Sequence, residues 1–374
     1  GAAELPPDIG QSAIPVYVPE TGHTVRGVFL DYWRANGAAS VLGNPLSEPF
    51  VAPNGYYSQA FERGILQYQP ELLWTEEPIV RLMPIYSREY RRTASGLNRA
   101  SRREDGGGNG RGPAWVPLPP ESGRVGRALA DGGLYFEETG HTLRGSFLDW
   151  YDRYEGHFYL GHPVSEAYTE RGIWAQYFEG GRLIETDDGV RLAPIDRDIV
   201  RDLRLDTKPV DQGDAPEFEE ALFWEAPNPN PLGGPEAPGR KLVEISLAEQ
   251  RMWAFQGDTL ITSSLVSTGL SPNDTEIGSF RLRLKYLKQD MQGFTSDTGE
   301  VLGTGEAPPG TIPYAVEDVP HVMYFNLEAE ALHGAYWHNN FGNPMSHGCV
   351  NQPLDVAAFM FGWAPIGTAV WVHE

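Results

Sequence analysis

The chain has 374 residues, of which 40% are hydrophobic and 11% aromatic, enough for the cores of two or three domains. Its 51 acidic and 29 basic residues give a net charge of −22, which disfavours nucleic acid as a partner through simple repulsion. The single cysteine excludes a disulfide within the chain, and no apolar run approaches the ~18 residues that a membrane span needs.

An internal repeat occupies the first part of the chain. The segment VYVPETGHTVRGVFLD at 16–31 returns as LYFEETGHTLRGSFLD at 134–149. The match continues from LGNPLSE at 42–48 to LGHPVSE at 160–166. Self-similarity of this kind predicts two copies of one module.

Each copy is predicted to be a small α+β unit with one helix and one β-hairpin. Apolar side chains recur at helical spacing in 28–33 and again in 147–151. Residues 56–68 and 173–184 have the pattern of strand, turn and strand. The predicted fold is therefore multidomain, with two such repeats in front of a third, different unit.

The domain boundaries follow from shifts in composition. A glycine-rich stretch predicts a flexible insertion between the copies, and five prolines predict a stiffer linker after the second copy. The resulting order is module 1 at 14–92, insertion at 93–130, module 2 at 131–202, linker at 203–238 and a terminal domain at 239–374.

The terminal domain is predicted to be mainly β. One helix is expected, over 355–362. Short runs rich in β-branched and aromatic residues predict strands at 242–247, 252–255, 259–266, 280–285 and 367–372.

Residues 332–351 carry the most informative chemistry. They contain the only cysteine, Cys349, together with three of the nine histidines and no Asp or Glu. A thiolate is the reactive form of cysteine, and a neighbouring imidazole can generate it near neutral pH. Two alternatives are a buried structural thiol and a metal site built from His333, His338, His347 and Cys349, although such a site would lack supporting acids.

Residues 239–374 resemble the L,D-transpeptidase catalytic domain of the YkuD-like family. The resemblance includes KLVEISL at 241–247, VSTG at 266–269, the His333-Gly334 pair and, most specifically, SHGCVN at 346–351. It implies an L,D-transpeptidase-like β fold. This chain has Thr-Glu-Ile-Gly at 275–278, where the family often has Thr-Pro before its Gly-x-Phe step.

The resemblance implies a catalytic pair. Cys349 would attack a peptide carbonyl, and His333 would act first as the base and later as the acid that protonates the leaving amine. An unperturbed thiol has a pKa of ~8.5, so such a base is needed near neutral pH. The carbonyl of Gly334 would orient the imidazole.

The turn around the thiol is implied to supply the oxyanion site. Gly348 lets the backbone approach the substrate, and the N–H groups of Gly348 and Cys349 would face the developing oxyanion. Ser346 and His347 would hold the turn.

Aromatic and polar residues nearby are candidates for the substrate groove. These candidates are Tyr314, Tyr324, Trp337, His338 and Asn351. In the repeats, Trp33, Trp150, Trp174 and Tyr177 would either contact sugar rings or pack helix against hairpin. The repeats also resemble the LGFP-type modules of wall-associated bacterial proteins.

The implied activity is acyl transfer on peptidoglycan stem peptides, which serve as donor and acceptor. A thioester at the cysteine would release D-alanine from a tetrapeptide and form a 3→3 cross-link, with no cofactor. The alternatives are an L,D-carboxypeptidase-type hydrolase of the same fold and a non-catalytic wall-binding protein. We expect a secreted or wall-associated enzyme with a trimmed N-terminus, and glycan contact through the repeats.

Overall fold

A computed structural model describes residues 13–87, 90, 113–224, 239–304 and 306–374. None of the helices in these residues is long and apolar enough to cross a membrane.

The first module contains a small hairpin, two helices and a four-stranded antiparallel sheet of order β3-β4-β5-β6. Its elements are β1 (Val16–Val18), β2 (His23–Val25), α1 (Gly27–Ala35), α2 (Ala38–Val41), β3 (Phe50–Val51), β4 (Tyr57–Phe61), β5 (Gly64–Tyr68) and β6 (Val80–Leu82). The helix and hairpin expected here are present.

The second module holds a helix and hairpin at the expected places, followed by a four-stranded sheet of order β12-β11-β10-β9. Its elements are α3 (Gly123–Ala130), β7 (Leu134–Phe136), β8 (His141–Leu143), α4 (Ser146–Arg153), α5 (Gly156–Tyr159), β9 (Tyr168–Glu170), β10 (Ile173–Tyr177), β11 (Arg182–Thr186), β12 (Gly189–Leu192) and α6 (Arg197–Asp202).

Both predicted connectors differ from expectation in their described parts. Helix α3 lies inside the segment predicted to be a flexible insertion, because Val125 and Ala128 bury one face and Ser122 caps its first turn. Residues 205–224 lie against module 1 rather than forming a stiff spacer, and Phe218 packs 4.7 Å from the ring of Trp33. The glycine-rich run and the prolines lie outside the described residues.

The terminal domain is mainly β, as predicted, and has two five-stranded sheets and one helix, α7 (Leu354–Trp363). The first sheet has the order β15-β14-β13-β22-β16, and the second has the order β18-β17-β19-β20-β21. The strands are β13 (Lys241–Ser246), β14 (Arg251–Gln256), β15 (Thr259–Leu265), β16 (Gly278–Arg281), β17 (Leu284–Thr295), β18 (Val301–Thr304), β19 (Ile312–Tyr324), β20 (Ala331–Gly334), β21 (Val350–Gln352) and β22 (Ala369–His373).

One predicted strand was wrong. Residues 280–285 do not form a single strand, because the chain leaves the first sheet after Arg281 and enters the second at Leu284. Leu282 N–H and Gly367 N–H instead bond the carbonyls of Thr368 and Leu282 across this step. Strand β17 then pairs with β19 along most of its length to form a long hairpin.

Buried charges join the modules to the terminal domain. The carboxylate of Glu220 accepts from Arg34 of α1 at 2.6 Å and from Lys241 of β13 at 2.5 Å. Arg34 also donates to the carbonyl of Gly362 at 3.0 Å, at the end of α7. These contacts hold module 1 against the terminal domain near the end of α7.

Three of the four aromatic residues considered for sugar contact are core residues. Trp33, Trp150 and Tyr177 are buried, and Trp33 donates through its indole N–H to the carbonyl of Gly43 at 2.8 Å. Trp174 is 41% exposed. Helix–hairpin packing therefore accounts for the first three.

Candidate active site

His333 lies on β20, and Cys349 directly precedes the neighbouring parallel strand β21. His333 on β20 pairs with Asn351 on β21, and Leu332 pairs with Val350. Partners across a ladder share a face and side chains alternate along a strand, so His333 lies on the same side of the sheet as Asn351 and Ala331. Cys349 packs against the cluster that contains Ala331, so the two side chains expected to react lie on one side of the second sheet.

The two faces of this sheet have different environments. Leu332, Val350 and Met323 join the main apolar core. On the opposite face, Cys349 and Tyr324 pack against the smaller cluster that contains Ala331. Cys349 is only partly buried on that face, so the alternation places the thiol away from the main core, where substrate has a route to it.

His333 is almost completely buried, at 3% exposure, and its Nδ1 lies 3.2 Å from the carbonyl of Gly334. Donation from Nδ1 to that carbonyl leaves Nε2 as the unprotonated nitrogen. Burial lowers the pKa of His333 to about 4, and the nearby His338 lowers it further, against an opposing effect of the Gly334 bond. The imidazole is therefore neutral at physiological pH.

The thiol is also held in its neutral form. Burial raises the pKa of Cys349 to about 12, the charge of Glu330 raises it further, and a bond from the Ala331 backbone opposes the shift. Because the pKa of the imidazole is about 4 and that of the thiol is about 12, the pair of neutral side chains is favoured over a thiolate–imidazolium pair.

The turn before Cys349 is held by hydroxyl groups. Ser346 Oγ donates to the carbonyl of Cys349 and accepts from Gly348 N–H at 3.2 Å. Thr275 Oγ1 donates to the carbonyl of Gly348 at 2.6 Å. Gly348 has φ of +117°, a conformation that strains any residue with a side chain. Because Gly348 N–H is already bonded to Ser346, an oxyanion would have to replace that hydroxyl.

The predicted substrate residues surround this face. The ring of Tyr314 stacks on His347 at 4.8 Å, and Trp337 lies 5.8 Å from the ring of His333. Asn351 Nδ2 lies 2.9 Å from Nε2 of His338. Each of these three contacts joins two residues that were named from the sequence.

Both tyrosines of β19 lie within electrostatic reach of the thiol. Burial raises the pKa of Tyr324 to about 12, and the charged form of Cys349 raises it further. Burial, followed by Cys349, also raises the pKa of Tyr314. Neutral phenol groups therefore face the thiol and can donate hydrogen bonds there.

Sequence reasoning missed two residues of the site, Thr275 and Glu330. The acid-free stretch of sequence begins at residue 331, directly after Glu330, which is buried behind the thiol turn. A Cβ built on Gly348 would come 2.9 Å from Oε1 of Glu330. Thr275 belongs to the segment at 275–278 that departs from the family pattern, and that departure was the sequence signal that could have identified it.

The described residues contain no group of three or more His, Cys, Asp or Glu side chains arranged to hold a metal ion. The histidines that a metal site would need take other partners, since His333 bonds Gly334 and His347 stacks on Tyr314.

Comparison with protein families matches residues 240–372 to the L,D-transpeptidase catalytic domain, YkuD. These residues are therefore an L,D-transpeptidase catalytic domain. No curated protein matches the chain.

Solved structures of L,D-transpeptidases also match. The catalytic domain of the E. faecium enzyme is 22% identical over 36% of this chain and 96% of that chain, with a TM-score of 0.30. The Mycobacterium smegmatis enzyme is 20% identical over 36% of this chain and 58% of that one, with a TM-score of 0.30. The match thus spans less than two thirds of that enzyme. L,D-transpeptidase 3 of Mycobacterium tuberculosis is 13% identical over 52% of this chain and 92% of that chain, with a TM-score of 0.31.

Proposed function

We propose that this protein is a cysteine-dependent peptidoglycan L,D-transpeptidase that forms 3→3 cross-links. The observation that carries the proposal is that His333 pairs with Asn351 while Cys349 packs against the cluster of Ala331 on the same side of β20, which supports a catalytic imidazole and thiol on one side of the sheet. The family match of residues 240–372 supports the reaction class.

The proposed first half-reaction forms a thioester. Cys349 Sγ attacks the carbonyl before the terminal D-alanine of a stem tetrapeptide, and Nε2 of His333 takes the thiol proton during the attack. Because the neutral pair is favoured, proton transfer accompanies formation of the S–C bond rather than preceding it. His333 then returns the proton to the amine of D-alanine as the C–N bond breaks.

The proposed second half-reaction transfers the acyl group to the side-chain amine of an acceptor stem. The amine loses a proton to His333 as the new amide forms, and the proton returns to sulfur. Backbone N–H groups of Gly348 and Cys349 would stabilise each oxyanion, with Ser346 Oγ releasing Gly348 N–H on substrate binding. Tyr314, Tyr324, Trp337, His338 and Asn351 would line the donor and acceptor grooves.

Intact mass spectrometry tests the nucleophile. Incubation with a purified disaccharide-tetrapeptide should add the donor less D-alanine to the wild-type chain, and Cys349→Ala should add nothing. His373→Gln, a substitution on the last strand, is the matched control and should acylate normally. Turnover by Cys349→Ala would overturn the proposal. A carbapenem adduct at Cys349 would exclude a non-catalytic wall-binding protein.

Product analysis then distinguishes transfer from hydrolysis. Cross-linked dimers are the expected product when acceptor stems are present. Free tripeptide alone would show that water is the acceptor and that the protein is a carboxypeptidase of the same fold.

The modules are proposed to be two copies of one wall-associated, LGFP-like unit in an extracytoplasmic protein. Support comes from matching buried contacts. Gln59 Nε2 donates to the carbonyls of Thr24 and Ser47 at 2.7 and 2.9 Å. In the other module Gln176 Nε2 donates to the carbonyls of Thr142 and Ser165 at the same two distances.

Wall glycan is the proposed partner of the modules, through exposed Trp174. Trp174→Ala should weaken cosedimentation of the full chain with insoluble peptidoglycan, because an exposed indole face can stack on a sugar ring. Unchanged cosedimentation would exclude glycan contact through this residue.

A further inference from the structure

A buried carboxylate lies directly behind the thiol turn and takes no part in the steps above. Glu330 is 9% exposed and comes one residue before β20. Its oxygens accept from the backbone N–H of Glu276 at 3.2 and 3.1 Å and from Nδ2 of Asn326 at 2.8 Å. The Glu330 side chain is therefore fixed in one orientation.

Glu330 and the segment before β16 together support the turn that carries the nucleophile. A Cβ on Gly348 would meet Oε1 of Glu330 at 2.9 Å, so the carboxyl group touches the turn itself. Thr275 donates to the carbonyl of Gly348 at 2.6 Å, and the next residue, Glu276, donates its N–H to Glu330. The three contacts close a ring of hydrogen bonds and packing around Gly348.

The ionisable groups that face Glu330 are acidic, so they do not offset a negative charge on its carboxyl group. Glu276 lies on the neighbouring segment and Glu328 on its own loop, and both disfavour a second negative charge. The thiol of Cys349 faces it from the turn, so a carboxylate and a thiolate oppose each other there. Burial raises the pKa of Glu330 to about 7, and its bonds from Glu276 and Asn326 offset only part of that shift.

We propose that Glu330 is a positioning residue that controls the reactivity of Cys349 through its ionisation. The protonated carboxyl supports the Gly348 turn without adding charge, whereas the carboxylate opposes formation of negative charge on the sulfur atom. The proposal rests on Cys349 as the nucleophile. The proposed reaction does not require it, because neither the attack nor the leaving step involves Glu330.

Alkylation of the thiol by iodoacetamide, followed by intact mass at a series of pH values, tests this directly. The wild-type rate should rise tenfold per pH unit, except for a flattened region near pH 7 where Glu330 loses its proton. Glu330→Gln should remove the flattened region. At pH values below that region its alkylation rate should equal that of wild type, and above it the rate should be about tenfold higher, because one nearby negative charge is gone. Glu328→Gln removes an exposed charge two residues away, so it should keep the flattened region but move it to lower pH, because that charge helps to raise the pKa of Glu330.

Thermal unfolding accompanies the rate measurements. Folding raises the pKa of the Glu330 carboxyl. Its contribution to the stability of the fold is therefore complete at pH values below its ordinary pKa, and it is lost as the pH rises through about 7. Glu330→Gln should therefore be at least as stable as wild type above that pH.

A straight wild-type profile with no flattened region would overturn the proposal, as would a Glu330→Gln profile that keeps it. If Glu330→Gln does not fold, Glu330→Asp retains the charge and should keep the flattened region. Because alkylation needs no stem peptide, this test fails independently of the transpeptidase proposal, which is decided by acyl-enzyme formation on a stem peptide and by product analysis.

Discussion

Two buried sets of ionisable groups, one where module 1 meets the terminal domain and one at the thiol site, are built differently. At the module interface, the side chains of Arg34, Glu220 and Lys241 are 1%, 8% and 0% exposed. Each positive group there contacts the same carboxylate, and backbone carbonyls of Gly362 and Trp363 accept the remaining donors. At the thiol site, His333 is buried and Cys349 is partly buried, and no opposite charge among the described residues stabilises either charged form.

The pKa values follow from this difference. Burial alone would raise the pKa of Glu220, yet Arg34 and Lys241 together hold it below its ordinary value. At the thiol site, burial lowers the pKa of His333 to about 4 and raises the pKa of Cys349 to about 12, and both shifts favour the neutral side chain. Glu220 therefore stays charged between its two partners, although burial still lowers the pKa of Lys241 to about 8, whereas the groups of the thiol site are neutral and available for proton transfer.

The largest effect is expected from breaking the interface set. Glu220→Ala leaves Arg34 and Lys241 buried without a counter-charge, which should lower the free energy of unfolding by about 3–5 kcal/mol. Urea denaturation followed by tryptophan fluorescence measures the loss. Glu219→Ala, an exposed neighbour, is the control and should stay within about 0.5 kcal/mol of wild type. Equal stability of the two variants would break the comparison.

A smaller effect is expected from titrating the thiol site. His333 accepts a proton only when it is neutral, so the acylation rate should fall about tenfold per pH unit below about 4. Between that point and the ordinary histidine value of about 6.5 the rate should stay flat. Stopped-flow acylation by a carbapenem measures the profile. A fall centred near 6.5 would mean that the base is not the buried imidazole.

The sequence predicted much of the site because its signals are local. The run at 346–351 and the His333-Gly334 pair predict one chemistry, and the strand pairing together with the Ala331 cluster supports an imidazole and a thiol on one side of the sheet. The hairpins at 56–68 and 173–184 were equally local, with turns between β-branched and aromatic runs.

The parts that were missed depend on distant contacts. Arg34 and Glu220 are separated by 186 positions, and in sequence each has the appearance of an ordinary surface charge. Strand β17 has no clean alternation of polar and apolar residues, because much of the hairpin it forms with β19 is exposed. Glu330 was passed over because its burial is produced by the packing of a segment more than fifty residues away.

The smallest effect is expected from an exposed ion pair between module 2 and the terminal domain. Arg153 of module 2 pairs with Asp258 of the terminal domain, but their side chains are 57% and 86% exposed. Water screens such a pair, so Arg153→Ala should lower the free energy of unfolding by less than about 1 kcal/mol. Arg144→Ala, which breaks the exposed Arg144–Asp131 pair within module 2, is the matched control in the same urea titration. A loss at Arg153 as large as that at Glu220 would mean that contact across the interface, rather than burial of the charges, determines how strongly the modules are held.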